Sequence, residues 1–101
     1  MWIESPPAAC HPLVEDGDGA LIPDESTVVE LYPLRPDLPV EAFLAWTGGE
    51  QLLVGGTTAV LLPGTRPAKD RLVGLGDYAA RADGKVWAEK AAGIASRYTA
   101  P

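Results

Sequence analysis

Two nearly continuous apolar runs, Thr58-Ala-Val-Leu-Leu-Pro-Gly64 and Arg71-Leu-Val-Gly-Leu-Gly76, constrain this chain more than any other feature. Short runs this apolar suit strands buried on both faces, as in a sheet with helices on either side. The pattern predicts strands over 57–62 and 71–75. A turn over 77–84 is then expected to lead into an amphipathic helix over 84–98, with Asp83 as its N-cap. Trp87, Ala91, Ile94, Ala95 and Tyr98 fall on one face of such a helix, and Lys85, Glu89, Lys90 and Arg97 lie away from it. Strands feeding a helix define an α/β fold.

The remaining elements are shorter. Thr27-Val-Val-Glu-Leu-Tyr32 carries β-branched and aromatic residues and stops at Pro33, which predicts a strand. Asp37 suits a helix N-cap with Pro39 in the first turn, opening a helix over 38–46. Val40, Phe43, Leu44 and Trp46 share its apolar side, and Gly48 and Gly49 supply the stop. Gln51 to Val54 fits an extension of that helix, a small strand or a loop. Residues 1–26 are rich in proline, glycine and acid and are expected to be mostly irregular, with a short strand at 20–22. The expectation is an irregular segment over 1–26 and one α/β domain over 27–101. Its sheet would have about four mostly buried strands flanked by two helices.

Charge narrows the partners. The chain carries 14 acidic and 8 basic residues, a net charge of −6. Phosphate backbones require clustered Lys and Arg, and here these residues are scattered between Arg35 and Arg97, which disfavours nucleic acid. The single cysteine, Cys10, fits a reducing compartment. Met-Trp-Ile-Glu-Ser-Pro-Pro at the start has neither the basic nor the apolar region of a signal peptide, and no apolar run approaches membrane-spanning length. A cytoplasmic location without membrane contact is the expectation.

In order, the chain presents Ala42-Phe-Leu-Ala45, Gly55-Gly56, Leu61-Leu-Pro-Gly64, Arg71-Leu-Val-Gly-Leu-Gly76 and Ala91-Ala-Gly-Ile-Ala-Ser-Arg97. Over roughly residues 28–98 this resembles the N-terminal domain of the leucyl aminopeptidases, the cytosol aminopeptidase family. That family's metal and catalytic residues lie in a C-terminal domain that nothing in this chain matches. The resemblance therefore implies a non-catalytic, macro-domain-like module that packs in an oligomer or frames access to another chain's active site. It carries over no catalytic residue.

Each candidate for chemistry has a plainer reading. Gly74, Gly76 and Asp77 sit in a formal G-x-G-x-x-A match after a strand, the pattern that cradles a dinucleotide pyrophosphate. No ribose-binding acid follows at the right distance, and Asp77 puts negative charge where phosphate would sit, so a tight strand-to-helix turn is preferred. Glu15-Asp-Gly-Asp-Gly19 resembles part of a calcium loop, but Ala20 and Thr27 fall where ligands are needed, which favours a solvated acidic turn. Cys10-His11 lacks further Cys or His partners for a metal, and neighbours on a strand face opposite ways. Gly48-Gly-Glu50 and Gly55-Gly-Thr-Thr58 lack the lysine of a phosphate loop. No catalytic residue, cofactor or metal is assigned.

Large aromatics anchor interfaces, which makes Trp2 and Trp46 the interface candidates, whereas Trp87 reads as core. Three functions remain in order of preference. The first is a non-catalytic accessory or interaction domain working with a protein partner, either a peptidase-like catalytic chain or another copy of itself. The second is a small acidic inhibitor or phage-type accessory protein that occupies a basic groove. The third is a nucleotide-binding macro-like domain using the Gly74–Asp77 turn.

Overall fold

Residues 5–100 are described by a computed structural model. The elements follow in the order β1 (Ala8–Cys10), β2 (Leu13–Glu15), β3 (Leu21–Pro23), β4 (Val29–Pro33), α1 (Val40–Thr47), β5 (Glu50–Val54) and β6 (Thr57–Leu61). They continue with α2 (Ala68–Arg71), β7 (Leu72–Gly74), β8 (Tyr78–Ala82), β9 (Lys85–Glu89) and α3 (Ala91–Arg97). The chain is a small α/β protein with several antiparallel sheets. Among the described residues, nine strands form three sheets, ordered β1-β4-β8-β9, β2-β3 and β5-β6-β7. A single sheet of about four strands flanked by two helices was expected. A sheet of four strands is present, but two further sheets and a third helix accompany it.

The four-stranded sheet sits centrally because its strands alternate. Adjacent residues on a strand point to opposite faces. Leu31 and its partner Ala80 therefore join Cys10, Val29, Ile94 and Tyr98 on one face, which α3 covers. Tyr32 and its partner Ala79 join Leu34, Phe43, Val60, Leu62 and Val73 on the other, under α1 and the β5-β6-β7 sheet. Leu31, Val60, Val73, Ala79 and Ala80 are completely buried. At about 25 cal/mol for each Å² of apolar surface removed from water, these two clusters dominate the folding free energy.

Residues 77–98 depart most from expectation. In place of a turn over 77–84 and one helix over 84–98, Tyr78–Ala82 and Lys85–Glu89 form a hairpin, and only Ala91–Arg97 is helical. Asp83, expected as an N-cap, belongs to the two-residue turn Asp83-Gly84, with φ 51° and 74°. Two positive φ angles are what a tight hairpin turn requires. The alanine-rich sequence prefers helix by at most about 0.7 kcal/mol per residue. Burial of Ala79 and Ala80 in a central strand, with full backbone pairing on both sides, outweighs that preference. Trp87 is accordingly a strand residue opposite Ala80, packed at the margin of the α3-side core.

Elsewhere the differences are smaller. Helix α1 starts at Val40 with Pro39 in the cap position, while Asp37 pairs with Arg35 Nε at 3.1 Å. Its C-terminus closes as expected, with the Gly48 N–H donating to Leu44 O at 2.8 Å from a left-handed conformation. The ambiguous stretch 51–54 lies in strand β5. The short strand expected at 20–22 is β3, while the segment expected to be otherwise irregular also contributes β1 and β2, and β1 pairs with β4 as Ala8 opposite Leu31 and Cys10 opposite Val29. The acidic run is a turn as expected: Asp16 Oδ1 accepts the Asp18 and Ala20 N–H groups at 2.8 and 3.0 Å and closes the β2–β3 hairpin. No helix among the described residues is long and apolar enough to cross a membrane.

Candidate functional site

A groove of about 750 Å³ runs along β9. Residues 84–88 form one wall; Pro63 to Arg66, with Asp70 and Arg71 of α2, form the other. Arg71 braces that second wall, donating through Nε to Arg66 O and through a terminal nitrogen to Leu62 O, both at 2.7 Å. Arg66 and Lys85 are exposed at the groove mouth. Among the described residues neither has an ion-pair partner. Three cations thus face one carboxylate, Asp70, in a chain that is acidic as a whole. Sequence reading missed this cluster because its members are 5 to 19 positions apart and meet only through the β8–β9 hairpin. The Asp83-Gly84 dipeptide between two alternating segments was the available signal.

The Gly74–Asp77 turn is built for packing. It joins β7 to β8, a strand-to-strand connection where a strand-to-helix turn was expected. The Gly76 N–H donates to Leu34 O at 2.8 Å, and the Leu34 N–H donates to Asp77 O at 2.9 Å. The Asp77 carboxylate accepts the Ala91 N–H at 3.0 Å, and its other oxygen lies 3.4 Å from Lys90 Nζ. Helix α3 has no side-chain cap from its own N-cap residue, Lys90, so Asp77 serves that role from a distant turn. An anion here would meet this carboxylate.

Trp46 is half-buried beneath a cation. Its ring lies 5.2 Å from that of Tyr32, and the Arg81 guanidinium carbon stands 4.2 Å from its centroid. Arg81 also donates to Trp46 O at 3.1 Å and to Glu30 Oε1 at 3.0 and 3.3 Å. Trp46 Nε1 is buried without a hydrogen-bond acceptor among the described residues. Trp2, the other interface candidate, lies outside the described residues.

The other titratable groups are held apart. Cys10 Sγ donates to Val29 O at 3.4 Å, whereas His11 Nδ1 contacts Thr27 O at 2.8 Å. Burial pushes the Cys10 thiol up to about 11, which keeps it protonated and unreactive near neutrality. Glu89, 6% exposed, accepts hydrogen bonds from Trp87 Nε1 at 2.8 Å, the Tyr98 hydroxyl at 2.7 Å and Arg97 at 2.9 Å. Burial, followed by Glu89, raises the Tyr98 phenol. Among the described residues no three His, Cys, Asp or Glu side chains gather where they could hold a metal ion.

Apolar exposure concentrates at two hairpins. Leu53 and Val54, at the tip of β5–β6, are 73% and 50% exposed. Val14, Leu21 and Ile22 of β2–β3 are also exposed.

Comparison with protein-family models, with curated proteins and with solved structures returned no match.

Proposed function

We propose that this chain is a non-catalytic accessory or interaction domain, resembling the N-terminal module of the leucyl aminopeptidases and acting through protein–protein contacts. The partner is a separate peptidase-like catalytic chain or a second copy. The observation that carries this reading is the β5–β6 hairpin tip, where Leu53 and Val54 hold apolar side chains in solvent on an edge strand. Exposed apolar side chains beside unpaired strand backbone favour association. Cys10 and His11 are each committed to a different backbone carbonyl, which fits a role without nucleophilic chemistry.

The test is native mass spectrometry of the protein captured from its own cell extract, compared with a Leu53→Asp variant. The proposal expects a defined complex, with a second chain or a second copy, that Leu53→Asp abolishes while the fold persists. A wild-type monomer with no captured chain overturns it, as does a complex indifferent to Leu53→Asp.

A further inference from the structure

We propose that the groove along β9 binds an extended acidic segment of a protein partner by strand addition, with the segment becoming the fifth strand of the central sheet. This rests on the reading of the chain as an interaction domain and names a second surface of that domain, distinct from the β5–β6 tip.

Strand order makes β9 an edge, since it pairs with β8 alone. The register fixes which of its backbone groups are open. Ala82 and Lys85 flank the two-residue turn and form a hydrogen-bonded pair, and such pairs recur at every second position along an antiparallel ladder. Ala80–Trp87 and Tyr78–Glu89 are therefore hydrogen-bonded, and Arg81–Val86 and Ala79–Ala88 are not. The N–H and C=O groups of Val86 and Ala88 consequently point away from β8, and both residues line the groove. Among the described residues no other backbone or side-chain group bonds to them. An incoming strand finds two donors and two acceptors in register.

Charge selects the occupant. Arg66, Arg71 and Lys85 border this edge against Asp70 alone, so carboxylates on the incoming strand are attracted and ammonium groups are repelled. Val86 and Ala88 pack their side chains against the core shared with Phe43. Main-chain pairing therefore supplies affinity and the three cations supply selectivity, the division of labour typical of strand-addition sites.

The test uses the full chain, labelled for NMR, and a capped peptide of about eight residues alternating Glu and Val. The expected result is slowed amide exchange at Val86 and Ala88, with at least about tenfold weaker binding by the Arg66→Glu/Lys85→Glu variant and by a peptide with Lys in place of Glu. Both substituted residues are exposed, so the variant keeps its fold, and its dispersed spectrum verifies this. Unchanged exchange at Val86 and Ala88, equal binding of the Lys peptide, or displacement of the Glu peptide by a single-stranded oligonucleotide at the same cations each overturns the proposal. Should the peptide fail while the Leu53-dependent complex still forms, the groove inference falls and the interaction reading stands. Should the peptide bind while no Leu53-dependent complex is captured, the β5–β6 tip falls as an interaction surface and the groove along β9 stands.

Discussion

The Asp77 carboxylate accepts the backbone N–H of Ala91, 14 positions further along the chain, at 3.0 Å. It joins the β7–β8 turn to the first turn of α3, so the carboxylate that counts against a nucleotide loop there fixes the start of a helix. Asp77→Ala is expected to destabilise the fold by about 1 kcal/mol, the usual cost of losing a helix cap. Asp77→Asn, which keeps an acceptor oxygen, should recover part of that loss. Urea denaturation of the three proteins measures both.

Glu89 is the more consequential carboxylate. Its removal orphans Trp87 Nε1 and the buried Tyr98 hydroxyl together and frees Arg97. Glu89→Ala is expected to cost about 3 kcal/mol, because buried donors left unpaired lose their full desolvation penalty. Glu89→Gln keeps the shape and should cost less. Chemical denaturation followed by tryptophan fluorescence reports the difference.

At Gly49 the backbone passes close to β6. A Cβ there would lie 2.7 Å from Val60 Cγ1 and 2.9 Å from Leu61 O. Gly49→Ala must displace a fully buried valine or the strand itself, and about 2 kcal/mol of destabilisation is expected, in the range of overpacked cores. Gly56→Ala, where no atom stands within 4 Å, would test a different cost, because its φ of 79° strains any side chain. Thermal melts of both variants separate crowding from backbone strain.

Alkali should unfold this protein through two buried acids. Cys10 ionises at about 11 in the fold against 9.0 ordinarily, and burial raises Tyr98 as well. Both groups hold their protons longer when folded than when unfolded. Their stabilising contribution is therefore complete below the ordinary Cys value and is lost as pH rises through the folded value. Cys10 alone accounts for about 2 kcal/mol of the loss between about pH 9 and about pH 11. Cys10→Ser should flatten that part of the profile, as read from urea midpoints across the same pH interval.

Legibility in the sequence followed the strength of local signals. Thr27-Val-Val-Glu-Leu-Tyr32 and Thr57 to Leu62 were readable as strands because β-branched and aliphatic side chains fit a pleated, buried surface. The αL stop at Gly48 was readable because its neighbours leave one role for it. Tyr78 to Glu89 was not read correctly. Its alanines suit a helix in isolation, and their strand conformation is imposed by β4 on one side and β9 on the other, information absent from the local segment. The groove was hidden with it, since Arg66, Arg71 and Lys85 become neighbours only once that hairpin exists.

The pairing between early and late segments has a consequence for how the chain comes together. Thr99 donates its N–H to His11 O at 2.9 Å, His11 donates its N–H to Thr99 Oγ1 at 3.0 Å, and Pro12 bridges Tyr98. These partners stand 88 residues apart or nearly so. During synthesis the segment around His11 leaves the ribosome first and waits with its lacing open until Tyr98 and Thr99 emerge. The α3-side core, which needs Cys10 and Tyr98 at once, is consequently sealed late, while β5, β6 and β7 can assemble among themselves beforehand.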